Sequence, residues 1–227
     1  MNIAIIPARG GSKRIPKKNI KNFCGKPIIG WSIELAIKSG CFDKVIVSTD
    51  DEDIAKLSKL HGAEVPFIRS EDLADDYTGV NSVIIDAIDR MKANFKIDYV
   101  CTILATAPLI QLSDIKYAYK QLITKPECDF AFSVTDYGFP IQRALKIIDN
   151  KISMFQPDFL NARSQDLEQA WHDAGQFYWG KCTAWLEKKA MFGPTSIPIK
   201  IPRYRVQDID TLEDWERAEL IFKTIRK

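Results

Sequence analysis

Residues 3–19, Ile-Ala-Ile-Ile-Pro-Ala-Arg-Gly-Gly-Ser-Lys-Arg-Ile-Pro-Lys-Lys-Asn, join a short apolar run to a loop with two adjacent glycines and five basic side chains. Four apolar residues closed by Pro7 read as a parallel strand buried on both faces, because such strands lack the polar alternation of half-exposed ones. A loop that follows such a strand directly sits at the carboxyl edge of the sheet, where doubly wound folds bind ligands. Gly10 and Gly11 let backbone amides approach an anion closely, Ser12 adds a donor, and Arg9, Lys13 and Lys18 supply the cations a polyphosphate needs. The spacing fits neither common phosphate motif. Gly25-Lys26 is followed by Pro27, and no glycines form Gly-x-Gly-x-x-Gly.

Outward from this stretch, residues 28–37 carry a wide apolar stripe at helical spacing, with Gly40 as a C-cap. The pattern then predicts a strand over 45–47, a helix over 51–61 ended by Gly62, and a strand over 65–68. A 3.6-residue period over 80–95 precedes a strand over 99–104, and Ser113 is placed to cap a helix to about 125, before a strand over 130–134. Alternating strands and helices predict an α/β chain around a mostly parallel central sheet, Rossmann-like in outline. After residue 136 the rhythm breaks. Two short apolar runs around Asp149-Asn150 predict a hairpin, and residues 137–175 read as an inserted arm on a single domain spanning 1–227. Strands near 177–179 and 197–201, a helix near 181–191, and a final helix to 225 capped by Thr211 complete the chain.

The composition excludes several classes. Hydrophobic residues at 46% and charged residues at 27% are those of a globular chain, and no apolar run approaches the ~18 residues of a membrane span. The N-terminus has no basic leader followed by a long apolar region, so the cytoplasm is the expected location. Five widely spaced cysteines without a Cys-x-x-Cys, and two histidines, disfavour a disulfide framework or a Cys/His zinc site. The net charge of +2 hides an asymmetry. Seven basic residues precede the first acidic one, Glu34, which leaves 25 basic against 30 acidic residues in the rest of the chain. An anionic ligand is expected there. Nucleic acid is disfavoured, since Phe23 is the lone aromatic in residues 9–26 and offers little for base stacking.

The segment from Pro7 to Ile20, followed by Gly25-Lys26-Pro27-Ile28-Ile29, resembles the N-terminal signature of the sugar cytidylyltransferases that activate sialic-acid-like sugars as CMP derivatives. Ser48-Thr49-Asp50, Arg69-x-x-x-Leu73-Ala74-x-Asp76 and Asp208-Ile209-Asp210 match the same family in the same order, so the resemblance spans nearly the whole chain. It implies a three-layer nucleotidyltransferase fold, CTP and an acidic nine-carbon sugar as substrates, Mg²⁺ as cofactor, and an arm that crosses a homodimer interface. It also implies nucleotide contacts from residues 8–13 (Ala8 to Lys13), Asn19, Arg69 and Thr78.

Asp208 and Asp210 alternate around Ile209, so in an extended segment both carboxylates share one face while the isoleucine turns to the core. Such a pair suffices for Mg²⁺ held with substrate phosphates. The same residues also read as the start of the last helix, with Thr211-x-x-Asp214 a capping box. Arg69 is open to a second reading, a salt bridge to Glu71 or Asp72. The acidic run 50–53 reads as the first turn of a helix. At 104–109 the chain has Leu-Ala-Thr-Ala-Pro-Leu where sialic acid and octulosonate relatives carry a Gln-Pro-Thr-Ser-Pro-like stretch, and residues 156–179 resemble the branch acting on pseudaminic acid. The expected sugar contacts are Thr106, Arg143, Lys146, Arg163, Gln176, Phe177 and Tyr178, the aromatics being equally readable as core. His172 beside Asp173 reads first as a surface or interface residue rather than a general base.

Overall fold

The computed structural model describes residues 1–75 and 77–226. Its strands are β1 (Asn2–Pro7), β2 (Asn22–Phe23), β3 (Lys26–Pro27), β4 (Lys44–Ser48), β5 (Tyr99–Ile103), β6 (Phe130–Asp136), β7 (Leu145–Ile148), β8 (Lys151–Met154), β9 (Trp171–Lys181) and β10 (Ser196–Lys200). The helices are α1 (Ile28–Ser39), α2 (Glu52–Leu60), α3 (Val80–Lys92), α4 (Leu112–Thr124), α5 (Cys182–Leu186) and α6 (Leu212–Ile225). Six strands form the central sheet in the order β10-β6-β9-β5-β1-β4.

Residues 3–6 are fully buried, and the period of two divides them between the layers. Ala4 and Ile6 face a core built with Ile29 and Ile33 of α1, Ile54 of α2 and Ile115 of α4. Ile3 and Ile5 face Ile84 and Ile88 of α3 and Trp185 of α5. Helices on both faces of the sheet make the fold three-layered, which is why β1 shows no polar alternation.

Local turn chemistry matches expectation. Asp149 and Asn150 both take positive φ, at 50° and 58°, between β7 and β8, as a two-residue hairpin turn requires. Asp51 caps α2 by accepting from the Ile54 amide, and Thr211 and Asp214 form the predicted box before α6. Helix α4 is capped by Gln111 rather than Ser113.

The expected strand at 65–68 is absent. Only Glu64 bridges to Ile46, and Pro66, which has no N–H to donate, stops the ladder there. The strand expected at 177–179 is eleven residues long and antiparallel, inserted between β5 and β6. Its polar first half hides it in the sequence, and a bulge interrupts the pairing: the register shifts between Phe132 and Val134, Gly175 takes a φ of 62°, and the Ser133 hydroxyl accepts from the Gln176 and Phe177 amides. The last five residues of the expected arm therefore belong to the sheet.

Glu34 on α1 ties neighbouring elements together, with Lys26 Nζ at 2.5 Å, Lys38 Nζ at 3.2 Å and His61 Nδ1 at 3.3 Å. The Lys26 hydrogen bond is the main reason its carboxyl is held down at about 2. A depressed carboxyl contributes stability that is complete above the free value of 4.5 and lost as the pH falls toward 2. The melting-point difference between the parent and Glu34→Gln should therefore shrink between pH 6 and 2.5. An unchanged difference over that range would disprove the linkage.

Candidate active site

The carboxyl ends of β1 and β5 open onto a cavity of about 600 Å³. The loop after β1 forms one wall with Arg9, Ser12, Lys13, Arg14, Lys18 and Asn19. Arg69, Leu73, Asp75, Thr78 and Val83 form the opposite wall, Leu104, Ala105 and Thr106 the base, and Asp210 the rim. The sequence-predicted groups thus converge from elements far apart in the chain.

The basic loop is held from below. Asn19 Nδ2 donates to Arg9 O at 2.9 Å, and Lys18 Nζ donates to Ile209 O at 2.7 Å, with Asp210 Oδ1 at 3.4 Å. Arg14 Nη2 lies 2.9 Å from Asp210 Oδ2. Arg9 Nη1 donates to Asp75 O at 2.7 Å across the cavity. Gly10 has a steric reason for its identity: a Cβ there would come within 2.7 Å of Asp51 Oδ2, whereas one at Gly11 would meet nothing within 4 Å. Gly10→Ala should displace the loop and raise the nucleotide KM about tenfold, while Gly11→Ala leaves melting unchanged. Equal behaviour of the two variants in nucleotide titrations would rule out this packing account.

Asp50 is a residue the sequence reading assigned elsewhere. The run 50–53 divides: Asp51 caps α2 with Glu52 and Asp53 in its first turn, but Asp50 Oδ1 accepts from the Gly10 amide at 3.1 Å and from Arg69 Nη2 at 3.4 Å. The Ser-Thr-Asp motif at the end of β4 was the signal available. Arg69 pairs with Asp50 and not with Glu71 or Asp72. Its guanidinium is almost wholly buried, Nε has no hydrogen-bond partner, and burial pushes its pKa down. Asp76, the last residue of the Arg69 motif, lies outside the described residues.

Ile209 is 1% exposed in an apolar cluster with Ile15, Leu109 and Trp215, as the alternation predicted. Partial burial and the neighbouring Asp210 carboxylate push the Asp208 carboxyl up from its ordinary range, opposed by Lys18 and Arg14. Two like charges held together offer the hard oxygens a divalent cation takes. Among the described residues no group of three or more His, Cys, Asp or Glu side chains is placed to hold a metal.

Several expected contacts are placed elsewhere. The Ala8 amide donates to Ser48 O at 2.9 Å, continuing the sheet, and is committed before any phosphate arrives. Phe177 and Trp179 are fully buried core residues, the faces of β9 alternating so that only Tyr178 of the three is partly accessible. Tyr178 donates to Asp173 Oδ2 at 2.6 Å, and burial, ahead of Asp173, keeps its hydroxyl protonated well above the usual tyrosine range. Gln176 is buried and donates to Arg205 O. Arg143, Lys146 and Arg163 sit on the arm, facing Ser164, Phe155 and Asp166, and are not part of the cavity lining. His172 Nδ1 lies 2.8 Å from Asp173 O, and its ring packs on Tyr137.

A family model described as cytidylyltransferase matches residues 3–151. The chain is 46% identical over 224 residues to a pseudaminic acid cytidylyltransferase of Campylobacter jejuni, covering 98% of this chain and 96% of that one. It is 30% identical over 229 residues to a CMP-N,N'-diacetyllegionaminic acid synthase of Legionella pneumophila, covering 97% and 96%. Among solved structures it resembles a CMP:2-keto-3-deoxy-manno-octonic acid synthetase complexed with CTP, with a TM-score of 0.74, 14% identity and 99% of each chain covered.

Proposed function

The chain belongs to the cytidylyltransferase family, and from that premise we propose that it transfers CMP from CTP to the anomeric hydroxyl of pseudaminic acid. The observation that carries the reading is the convergence, at one cavity on the carboxyl edge of the sheet, of the basic loop, the buried Arg69 and Asp210, with Asp208 two residues before it in the chain. The sugar hydroxyl attacks the α-phosphorus, the bond to the bridging oxygen breaks, and pyrophosphate leaves. Such a reaction asks the protein for positioning and charge neutralisation rather than for a nucleophile. Arg9, Lys13, Arg14 and Lys18 take up the triphosphate and the departing pyrophosphate charge, and Arg69 with Thr78 faces the cytidine end. Asp208 and Asp210 would hold Mg²⁺, which when bound neutralises phosphate charge. Turnover of CTP with pseudaminic acid, followed by pyrophosphate release, tests the reading. Equal turnover with ATP at matched concentrations would defeat the base assignment.

A homodimer joined through the arm belongs to the same proposal. Among the described residues the β7–β8 hairpin pairs only with itself, and it leaves Ile147 73% and Ile152 69% exposed. Arg143, Lys146 and Arg163 retain a role toward the sugar only through the docking of this arm. Sedimentation should give a dimer for the parent and a monomer for Ile147→Asp/Ile152→Asp. A monomeric parent at micromolar concentration would reject it. Five free cysteines suit a reducing compartment, which supports a cytoplasmic location. Among the described residues no helix is long and apolar enough to cross a membrane.

A further inference from the structure

Arg205 lies in the turn Arg203–Arg205, three residues before Asp208, and its side chain is buried. Its guanidinium makes a two-pronged contact with Asp114 of α4, Nη1 to Oδ2 at 2.6 Å and Nη2 to Oδ1 at 3.1 Å. Asp114 also accepts from the Gln111 amide at the start of that helix. The backbone of the same arginine is held from a third direction, since Gln176 Nε2 donates to Arg205 O at 2.6 Å while Gln176 O accepts from Leu104 N at 2.9 Å. The segments so joined border one cavity: residues 104–111 supply its base with Leu104, Ala105 and Thr106, and residues 205–210 its rim with Asp210, two residues after Asp208. On the far side of the carboxylates the segment is fixed again, by the Asp210 and Thr211 amides donating to Asp214.

We propose that the buried Arg205–Asp114 pair is a positioning element that sets the Asp208–Asp210 segment against the base of the cavity. A buried ion pair is a poor device for stability alone, because well-packed apolar residues of similar volume serve as well or better. Its value lies in geometry, since a planar fork on a carboxylate allows one orientation where a lysine allows many. This one stands at the junction between the β5–α4 connection and the carboxylate segment. The inference rests on the cytidylyltransferase reading, and it assigns Arg205 and Asp114 no contact with substrate.

The test compares the parent with Arg205→Met/Asp114→Leu and with Arg205→Lys. Steady-state kinetics, thermal melting and Mn²⁺–CTP binding by electron paramagnetic resonance are read on each. The apolar pair should melt within a few degrees of the parent, yet lose about 30-fold or more in kcat and about tenfold in Mn²⁺ affinity, with the CTP KM within about threefold. Arg205→Lys keeps the charge and the Asp114 cap, so it remains readable should the double variant not fold; it should lose about tenfold in kcat. A folded variant with parent-like kcat and Mn²⁺ affinity, or one whose loss is confined to KM, overturns the proposal. A parent that binds Mn²⁺–CTP but turns over no acidic sugar defeats the sugar assignment and leaves this inference to the binding measurement.

Discussion

Asp210→Asn is expected to reduce kcat about 10²- to 10³-fold, the loss typical of removing one preorganised electrostatic group from a reaction of this kind. Asp208→Asn should behave alike if, as proposed, the two carboxylates that flank the buried Ile209 hold one cation. The substitutions leave the shape of the segment intact. Asp210 contributes partly exposed pairs to Arg14 and Lys18, and such surface pairs carry only ~0–1 kcal/mol of stability. The variants should therefore melt near the parent while losing turnover and Mn²⁺ affinity together. Rates within fivefold of the parent in both variants would remove the carboxylates from the mechanism. A loss of turnover matched by a collapse in melting temperature would instead mark them as residues of the fold.

The second large effect concerns the sugar. The base of the cavity carries Ala105 and Thr106 beside Leu104, and Val80 and Val83 add apolar surface. Hydroxyl groups brought against such a surface without partners cost about 1–3 kcal/mol each by mutational estimates. Pseudaminic acid ends in a methyl group where N-acetylneuraminic acid carries a glycerol tail. Two unpaired hydroxyls at the lower bound already correspond to a preference of ~30-fold, since every 1.4 kcal/mol is about tenfold. The kcat/KM for pseudaminic acid should exceed that for N-acetylneuraminic acid and deoxy-octulosonic acid by at least this factor. A preference for either of the latter would overturn the assignment. A preference for legionaminic acid would keep the polarity argument and reject the stereochemical one, which is supported by the 46% identity to the Campylobacter jejuni enzyme against 30% to the Legionella pneumophila one.

What could be read directly from the sequence is local in origin. The apolar run 3–6 announced a strand buried on both faces, and the basic loop after it had to lie on the carboxyl edge. The alternation Asp208-Ile209-Asp210 placed one residue in the core, and Asp149-Asn150 and Thr211-x-x-Asp214 specified a turn and a cap through their own side chains and backbone. Each of these signals acts over four residues or fewer. Tertiary structure decided the rest. The insertion of β9 antiparallel between β5 and β6 depends on strands dozens of residues away, and the polar residues His172 and Asp173 mask its period. Which of the two core layers Phe177 and Tyr178 each enter depends on the register that the bulge at Gly175 imposes. Asp50 turned toward Gly10 and Arg69 instead of joining the cap of α2, and Arg205 found Asp114 at a separation of 91 residues. Periodicity and capping encode which way a residue faces within its own element, whereas the partner it meets is chosen by how the elements pack, and the cavity is made of such meetings.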